Sequence, residues 1–447
     1  MAPNQGSSSG LSPKNPSSFP GIYKYPADRN LPFKNGYQWL AGKRKDDDIG
    51  KLWRVYDKLY NLESFAHKHP GGDYWIRLTQ GTDITEAFEA SHVAHVKKVE
   101  EILAKYYVRD VEFPRNSPYT FKQDGFYMTL KRRAGPILEE VGTNSTLQIR
   151  LMIDGLGLAY VLLSFFGVFL NSTLLQILAG LDLAMLIIAA HNFFHMRDNW
   201  RKFYYDFSLQ SSIELQISHA ISHHLYTNTV MDIEISNLEP AFEFLPKEKT
   251  FLKRYAPGVY AHLFYIVSFF LDLIKRGRAI ANGTQQLRPE NLIVFIQLAV
   301  WMLIAPSVPT GIYSWLFIHA VASYWFMLVA VGGSAHHHPS CFHDGDEARN
   351  EADFGLCQLD AIRDRSDDLH QTLFVILTTF GAHSLHHLFP TVCHSKLHHL
   401  QEVYEQTLKE FNEEFHPVSQ FELFLGMHKQ LARVEALPHP AEIKKQK

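Results

Sequence analysis

Four segments of the chain concentrate histidine: His191-Asn-Phe-Phe-His195, His219-Ala-Ile-Ser-His223-His224, Ala335-His336-His337-His338 and His383-Ser-Leu-His386-His387. On a helix, side chains at i and i+4 share one face. His191 with His195, His219 with His223, and His383 with His387 can therefore each grip one ion. Adjacent histidines point their imidazoles in different directions, which suits two neighbouring metals. Imidazole-rich sets favour iron, zinc or copper over magnesium or calcium. One zinc takes four ligands, so eight or nine histidines fit two ions better than one. A polar helix end would explain a single pair but not three clusters at matching places beside apolar runs. A further stretch, His394-Ser-Lys-Leu-His398-His399, repeats the spacing on a charged, amphipathic segment and reads as surface-facing. Asp232, Glu234, Asp344 and Asp346 could accept hydrogen bonds from imidazoles or stand as solvated loop acids; Asp198 lies nearest the first cluster in sequence.

A second constellation lies earlier. His69-Pro-Gly-Gly is followed by Gly81-Thr-Asp83 and by Phe88-Glu-Ala-Ser-His92. A low-spin haem needs two axial imidazoles from opposite walls of a pocket. Pro70 and the glycines would hold His69 on a tight turn that lets backbone approach a porphyrin edge. The 23-residue spacing to His92 leaves room for a short helix and a turn. Leu62, Phe65, Tyr74, Trp75, Ile76 and Phe88 can line the pocket. His95 competes with His92 for the second position, and His67 reads as a surface residue.

The elements that must position these groups follow from hydropathy. Residues 151–170 and 173–190 are apolar runs with one acid each, joined by a very short turn, and residues 291–305 and 311–331 form a second pair. Each run is near the length that crosses a bilayer as a helix. Tyr160, Phe165, Phe166, Trp301, Trp315 and Trp325 supply aromatic flanks. The short turns at 171–173 and 306–310 carry no Lys or Arg, so the positive-inside rule puts both tips away from the cytosol. Residues 1–150, 191–290 and 332–447 then face the cytosol. A fifth stretch, 258–274, is bounded by Lys253, Arg254, Lys275, Arg276 and Arg278 and should lie along the interface, because spanning would separate the histidine clusters. The predicted organisation is a disordered N-terminus at 1–23, a small α+β haem-binding domain at 24–110, a linker at 111–150 with the basic triplet Lys131-Arg132-Arg133, an all-α integral membrane domain at 151–430 with four transmembrane helices and a cytosolic histidine-rich cap, and a tail at 431–447.

Composition agrees. The 447 residues are 46% hydrophobic and 20% charged, which excludes a wholly disordered or collagen-like chain. The 43 basic and 46 acidic residues give a net charge of −3, so no positive field recruits nucleic acid. The three cysteines form no CxxC pair, which excludes a thiolate zinc ribbon and suits a reducing compartment. The N-terminus lacks a basic segment followed by an apolar run, so no secretory signal is read there. No GxGxxG occurs, so NADH is not expected to bind this chain.

The HPGG and GTDITEAF segments resemble the cytochrome b5 domain, and HNFFH, HAISHHLYTN and HSLHHLFPT resemble the three histidine boxes of membrane fatty acid desaturases and related hydroxylases. A cytochrome b5 domain ahead of such a membrane domain is the layout of the fusion desaturases, and the resemblance covers about residues 24–430. It implies haem b on His69 and His92. It also implies two non-haem irons held by His191, His195, His219, His223, His224, His383, His386 and His387. A ninth ligand follows the last membrane helix, where His336 fits with His337 as the alternative. His338 and His343 are left to outer positions or solvent. The implied activity is O2-dependent desaturation of an acyl lipid or acyl-CoA, with electrons from NADH-cytochrome b5 reductase, at the endoplasmic reticulum. The haem domain would swing on the 111–150 linker to reach the iron site. Two positions depart from the fusion enzymes: three residues separate His219 from His223, and His383 stands where they usually carry Gln. A hydroxylase on the same site and a membrane-anchored electron carrier remain alternatives. A zinc hydrolase would need a glutamate base such as that of HExxH, which the boxes lack.

Overall fold

A computed structural model describes residues 17–439 apart from residues 33, 198, 369 and 370. Helix α1 (Gly36–Asp47) starts at Asn35, whose side chain accepts from the Gln38 backbone while Gln38 returns a bond to the Asn35 N–H; it ends where Asp48 turns left-handed at φ 45°. A three-stranded antiparallel sheet follows, β1 (Trp53–Val55), β2 (Lys58–Tyr60) and β3 (Tyr107–Asp110), in the order β1-β2-β3. Trp53 pairs with Tyr60 and Val55 with Lys58. Helices α2 (Asp73–Leu78), α3 (Thr85–Ser91) and α4 (Val96–Ala104) lie between β2 and β3. Trp53, Val55, Ile76, Ile84 and Phe88 bury a small core between sheet and helices. This is the α+β unit that the sequence predicts.

The membrane-type helices come next. Thr146 caps α6 (Leu147–Phe169) and Ser172 caps α7 (Thr173–His191), each by accepting from a backbone N–H three residues on. Asn171 closes the hairpin at φ 50°. Apolar side chains such as Leu151, Leu158, Leu162 and Phe166 on α6 stand exposed, an outward face suited to lipid. The inner faces pack on the helix Val308–Met327. The approach is close at Gly180, where an added Cβ would sit 2.6 Å from the Val321 Cβ. The acid of each run is sequestered: Asp154 accepts from Arg201 at 2.6 Å, and Asp182 is buried.

Among the described residues, four helices are long and apolar enough to cross a membrane: Leu147–Phe169, Thr173–His191, Pro257–Ala281 and Val308–Gly332. The set differs from the predicted one. The helix Pro289–Ile304 is shorter, while the stretch read as an interfacial 258–274 continues to Ala281. It continues because the bounding cations are paired: Lys275 lies 3.5 Å from Glu214 and 3.2 Å from Asp272.

Two further expectations are corrected. Residues 17–23, assigned to a disordered end, are packed: Ser17 donates to Asp344 at 2.8 Å, and Phe19 is buried between Tyr119 and Phe342. Residues 111–150 are no free linker. They carry α5 (Phe126–Val141), whose Phe126, Tyr127, Leu130, Ala134 and Leu138 recur every three or four residues on one buried face. That face joins Trp39, Leu40, Ala90 and Val93 of the first unit to Ile217, Leu385 and Leu388 of the histidine-rich cap in a single core. Residues 1–16 and 440–447 lie outside the described part.

Candidate functional site

The first site is built on a turn and a helix end. His69 follows a short 3-10 turn, and the Gly72 N–H returns to its carbonyl at 3.0 Å. Gly72 has φ 100°, and a Cβ on Gly71 would lie 2.8 Å from the His69 ring, so both glycines are needed where they stand. His92 caps α3. The His69 Nδ1 lies 2.9 Å from Gly72 O, and the His92 Nδ1 lies 2.8 Å from Phe88 O. A carbonyl only accepts, so each Nδ1 carries the proton and each Nε2 keeps its lone pair. Burial keeps both rings neutral, with the His92 pKa pushed down to about 4. The ring centroids are 6.2 Å apart. Two imidazoles bonded to one iron at about 2 Å each have centroids roughly 6 Å apart. The donor set and its spacing therefore fit a bis-imidazole haem. His95 does not share this arrangement: it starts α4 at φ 55°, is exposed, and meets Glu139 at 3.2 Å. His67 is also exposed.

The second site collects the boxes. His191 is the last residue of α7 and His195 lies beyond it in a turn, so the pair is not on one helix as the spacing suggested; their Nε2 atoms still stand 3.3 Å apart. The second box lies on a π-helix, Gln216–His223, in which the His224 N–H reaches the His219 carbonyl. The wider turn brings His219, His223 and His224 onto one side, which is how three intervening residues are accommodated. A second π-helical turn, Leu328–Gly332, ends the last long helix just before His336. The helix His383–Leu388 presents the third box.

These elements converge on two buried clusters. One comprises His191, His195, His219, His224 and His386, and the other His223, His336 and His387. His383 touches the second, its Nε2 2.7 Å from that of His336. Other Nε2 pairs stand at 2.6 Å (His191 and His219), 3.0 Å (His224 and His219) and 3.2 Å (His223 and His336). Nitrogens that share one ion at about 2.1 Å stand roughly 3 Å from one another.

The outer nitrogens explain why the inner ones are bare. His219 Nδ1 donates to Glu234 and His223 Nδ1 to Asp232, both at 2.8 Å, and His336 Nδ1 to Ala361 O at 3.1 Å. This fixes the tautomer with Nε2 free. The Nε2 atoms of His386 and His387 are buried with no hydrogen-bond partner. Burial, and next the neighbouring imidazoles, push His195, His224, His386 and His387 well below their ordinary pKa. His223 is the exception: burial lowers it, but Asp232 and Glu234 outweigh burial and hold it at about 9. Convergent buried imidazoles, with the Nε2 atoms of His386 and His387 unpartnered, fit a pair of metal ions.

The remaining candidates sort by contact. His337 stacks on Phe244 with centroids 3.6 Å apart and stands outside both clusters. His338 bonds Ser340, and His343 is buried against the Cys341 carbonyl. Asp344 holds Ser17 and Val230, and Asp346 holds Arg433, so both acids are engaged away from the imidazoles. Asp198 lies outside the described residues. His394 is not surface-facing. It is buried with its ring 4.5 Å from His386, and its Nδ1 and backbone N–H both reach Asn192 Oδ1, at 2.8 and 3.0 Å. Asn192 and His394 thus tie the first box to the segment after the third. The signal was present: His394, Leu397, Tyr404 and Leu408 form one apolar stripe, with His398 and His399 outside it.

Comparison with known proteins agrees with this geometry. The family model "Fatty acid desaturase" matches residues 156–419, and "Cytochrome b5-like Heme/Steroid binding domain" matches residues 38–112. A Drosophila melanogaster protein named "Cytochrome b5-related protein" is 38% identical over 93% of this chain and 95% of its own length. An "Acyl-lipid (8-3)-desaturase" of Physcomitrium patens is 23% identical over 80% of this chain and 82% of its own. Human "Cytochrome b5 type B" is 32% identical over 17% of this chain and 49% of its own. No solved structure matches the chain.

Proposed function

The chain belongs to the cytochrome b5-fused fatty acid desaturases, and from that premise we propose that it desaturates an acyl chain at two non-haem irons, with O2 as co-substrate and electrons passed through its own haem. The observation that carries this reading is the convergence of nine buried imidazoles, the eight of the boxes and His336, of which eight form two adjoining clusters and His383 touches one. His191, His195, His219, His224 and His386 would hold one iron; His223, His336, His387 and His383 would hold the other. His69 and His92 would hold the haem. Bound iron supplies the oxidising power that an unactivated C–H bond demands and that side-chain acids and bases lack. Overall, O2, two electrons and two protons take two hydrogens from the chain and leave two waters.

The protein's own part is positional. Asp232 and Glu234 hold His223 and His219 in the ligating tautomer. Full burial of the box residues excludes water from the reacting region. The cap and the haem unit face the cytosol in this reading, because the hairpin tips lack basic residues, and the endoplasmic reticulum is the membrane that the family suggests. The helix Pro257–Ala281 lies along that interface in this reading: Tyr260 near its start bonds Ala241 O, and Lys275 near its end pairs with Glu214, so both ends meet segments of the cap. NADH-cytochrome b5 reductase is the proposed electron donor, and an acyl lipid or acyl-CoA the substrate.

The test is expression in a desaturase-deficient yeast followed by lipid analysis. A new double bond that disappears in His386→Ala supports the reading. A hydroxylated chain would move it to the hydroxylases, and unchanged lipids beside an intact haem spectrum and a full iron load would leave an electron carrier.

A further inference from the structure

Helix α3 ends on His92, and the helix His383–Leu388 carries the third box. Two side chains join them. The buried Tyr127 hydroxyl stands 3.3 Å from Glu89 O and 3.1 Å from Leu388 O, and Thr391 donates to Ser91 O at 3.2 Å. Leu388 adjoins His387, and Ser91 adjoins His92. Both haem and iron candidates are thus one residue away from a bond that crosses the joint.

Charge closes the joint around these bonds. Lys131 reaches the Glu89 carboxylate at 2.5 Å and its carbonyl at 2.8 Å. Arg115 bridges Asp83, at 2.7 Å, and Glu86, which also accepts from Tyr226 at 3.3 Å. Asp83, Glu86, Glu89 and Lys131 are all buried. Parting the two halves would separate Lys131 from Glu89 and Tyr226 from Glu86, and would expose to water the apolar core that the two halves share. A unit that swung away in each catalytic cycle would break the Tyr127, Thr391, Lys131 and Tyr226 contacts.

We propose that the haem-binding unit works permanently docked, and that Tyr127 and Thr391 are positioning residues that fix His92 against the third box, so that electrons cross without domain motion. This rests on the haem and iron assignments above. Each transfer oxidises one ferrous haem to ferric and reduces one ferric non-haem iron to ferrous, with no bond made or broken in the protein. An external flavin-type reductase restores the ferrous haem.

The test uses full-length protein loaded with haem and iron in nanodiscs. The haem is reduced, the protein is mixed with oxygenated buffer containing acyl-CoA, and haem reoxidation is followed by stopped flow at rising sucrose viscosity. Hydrogen exchange of α3 gives a readout independent of turnover. The wild-type rate should not change with viscosity. Tyr127→Phe with Thr391→Val should slow it by about tenfold or more and speed α3 exchange, while the haem spectrum and midpoint potential stay unchanged. A wild-type rate that falls in proportion to viscosity, or a variant that reoxidises at the wild-type rate, overturns the proposal. Failure of the underlying assignment shows differently, as a missing haem spectrum or missing non-haem iron before any kinetics are run.

Discussion

His223 donates from Nδ1 to Asp232 at 2.8 Å, while its Nε2 faces the Nε2 of His336 at 3.2 Å. The acid therefore holds a proton on Nδ1 and turns Nε2 inward. Asp232 is itself fully buried and also accepts from the Asn228 and Glu234 backbones, so it cannot turn away. Replacing it by Ala frees the His223 ring and its tautomer. We expect Asp232→Ala to weaken iron binding by about 10- to 100-fold, read by titration with a competing chelator, with the haem spectrum intact.

The candidate haem ligands can be told apart by absorbance. His92→Ala should abolish the b-type spectrum, whereas His95→Ala should retain it, since His95 is exposed and pairs with Glu139. Gly71→Ala should lower haem occupancy with the ligands in place, because its Cβ would meet the His69 ring. Equal haem loading of Gly71→Ala and wild type would show that the turn yields.

The third box and the His394–His399 stretch should differ in effect. His386→Ala should remove non-haem iron from the first cluster. His394→Ala should leave ligand number unchanged but loosen iron, since it removes the Nδ1 bond to Asn192 that braces the first box and the ring packed on His386. His398→Ala and His399→Ala should change neither iron nor haem, being exposed. Metal analysis of the four variants checks the order.

Packing of the helices makes a stability prediction. Gly180→Val forces apart α7 and the helix Val308–Met327, because Val321 and the Ile318 carbonyl already occupy the space. Overpacking of this kind costs about 1–3 kcal/mol. The measurement is the thermal midpoint in detergent, which should drop relative to Gly155→Ala, where an added Cβ meets nothing.

Much of this was legible because ligand chemistry is local. HPGG and the boxes announce themselves by residue type and spacing, and the α+β unit and apolar hairpin follow from short-range pattern. What was not legible depended on partners distant in sequence. The basic triplet Lys131-Arg132-Arg133 made α5 look like a linker, yet Lys131 is buried because Glu89 receives it. The cations after Ile274 looked like a helix boundary, but Lys275 is neutralised by Glu214, sixty-one residues earlier. The π-helix is set by the need to place His219, His223 and His224 together, which helical periodicity alone does not foresee. His394 was readable from its stripe, but the charges around it hid the stripe.

The metal and haem content of one detergent-purified preparation, with a reduced-minus-oxidised spectrum, decides whether the clustered imidazoles hold iron. About three irons per chain are expected, one in a b-type haem and two outside it. Haem with no further iron in a folded, iron-reloaded sample, or zinc in the place of iron, would contradict it.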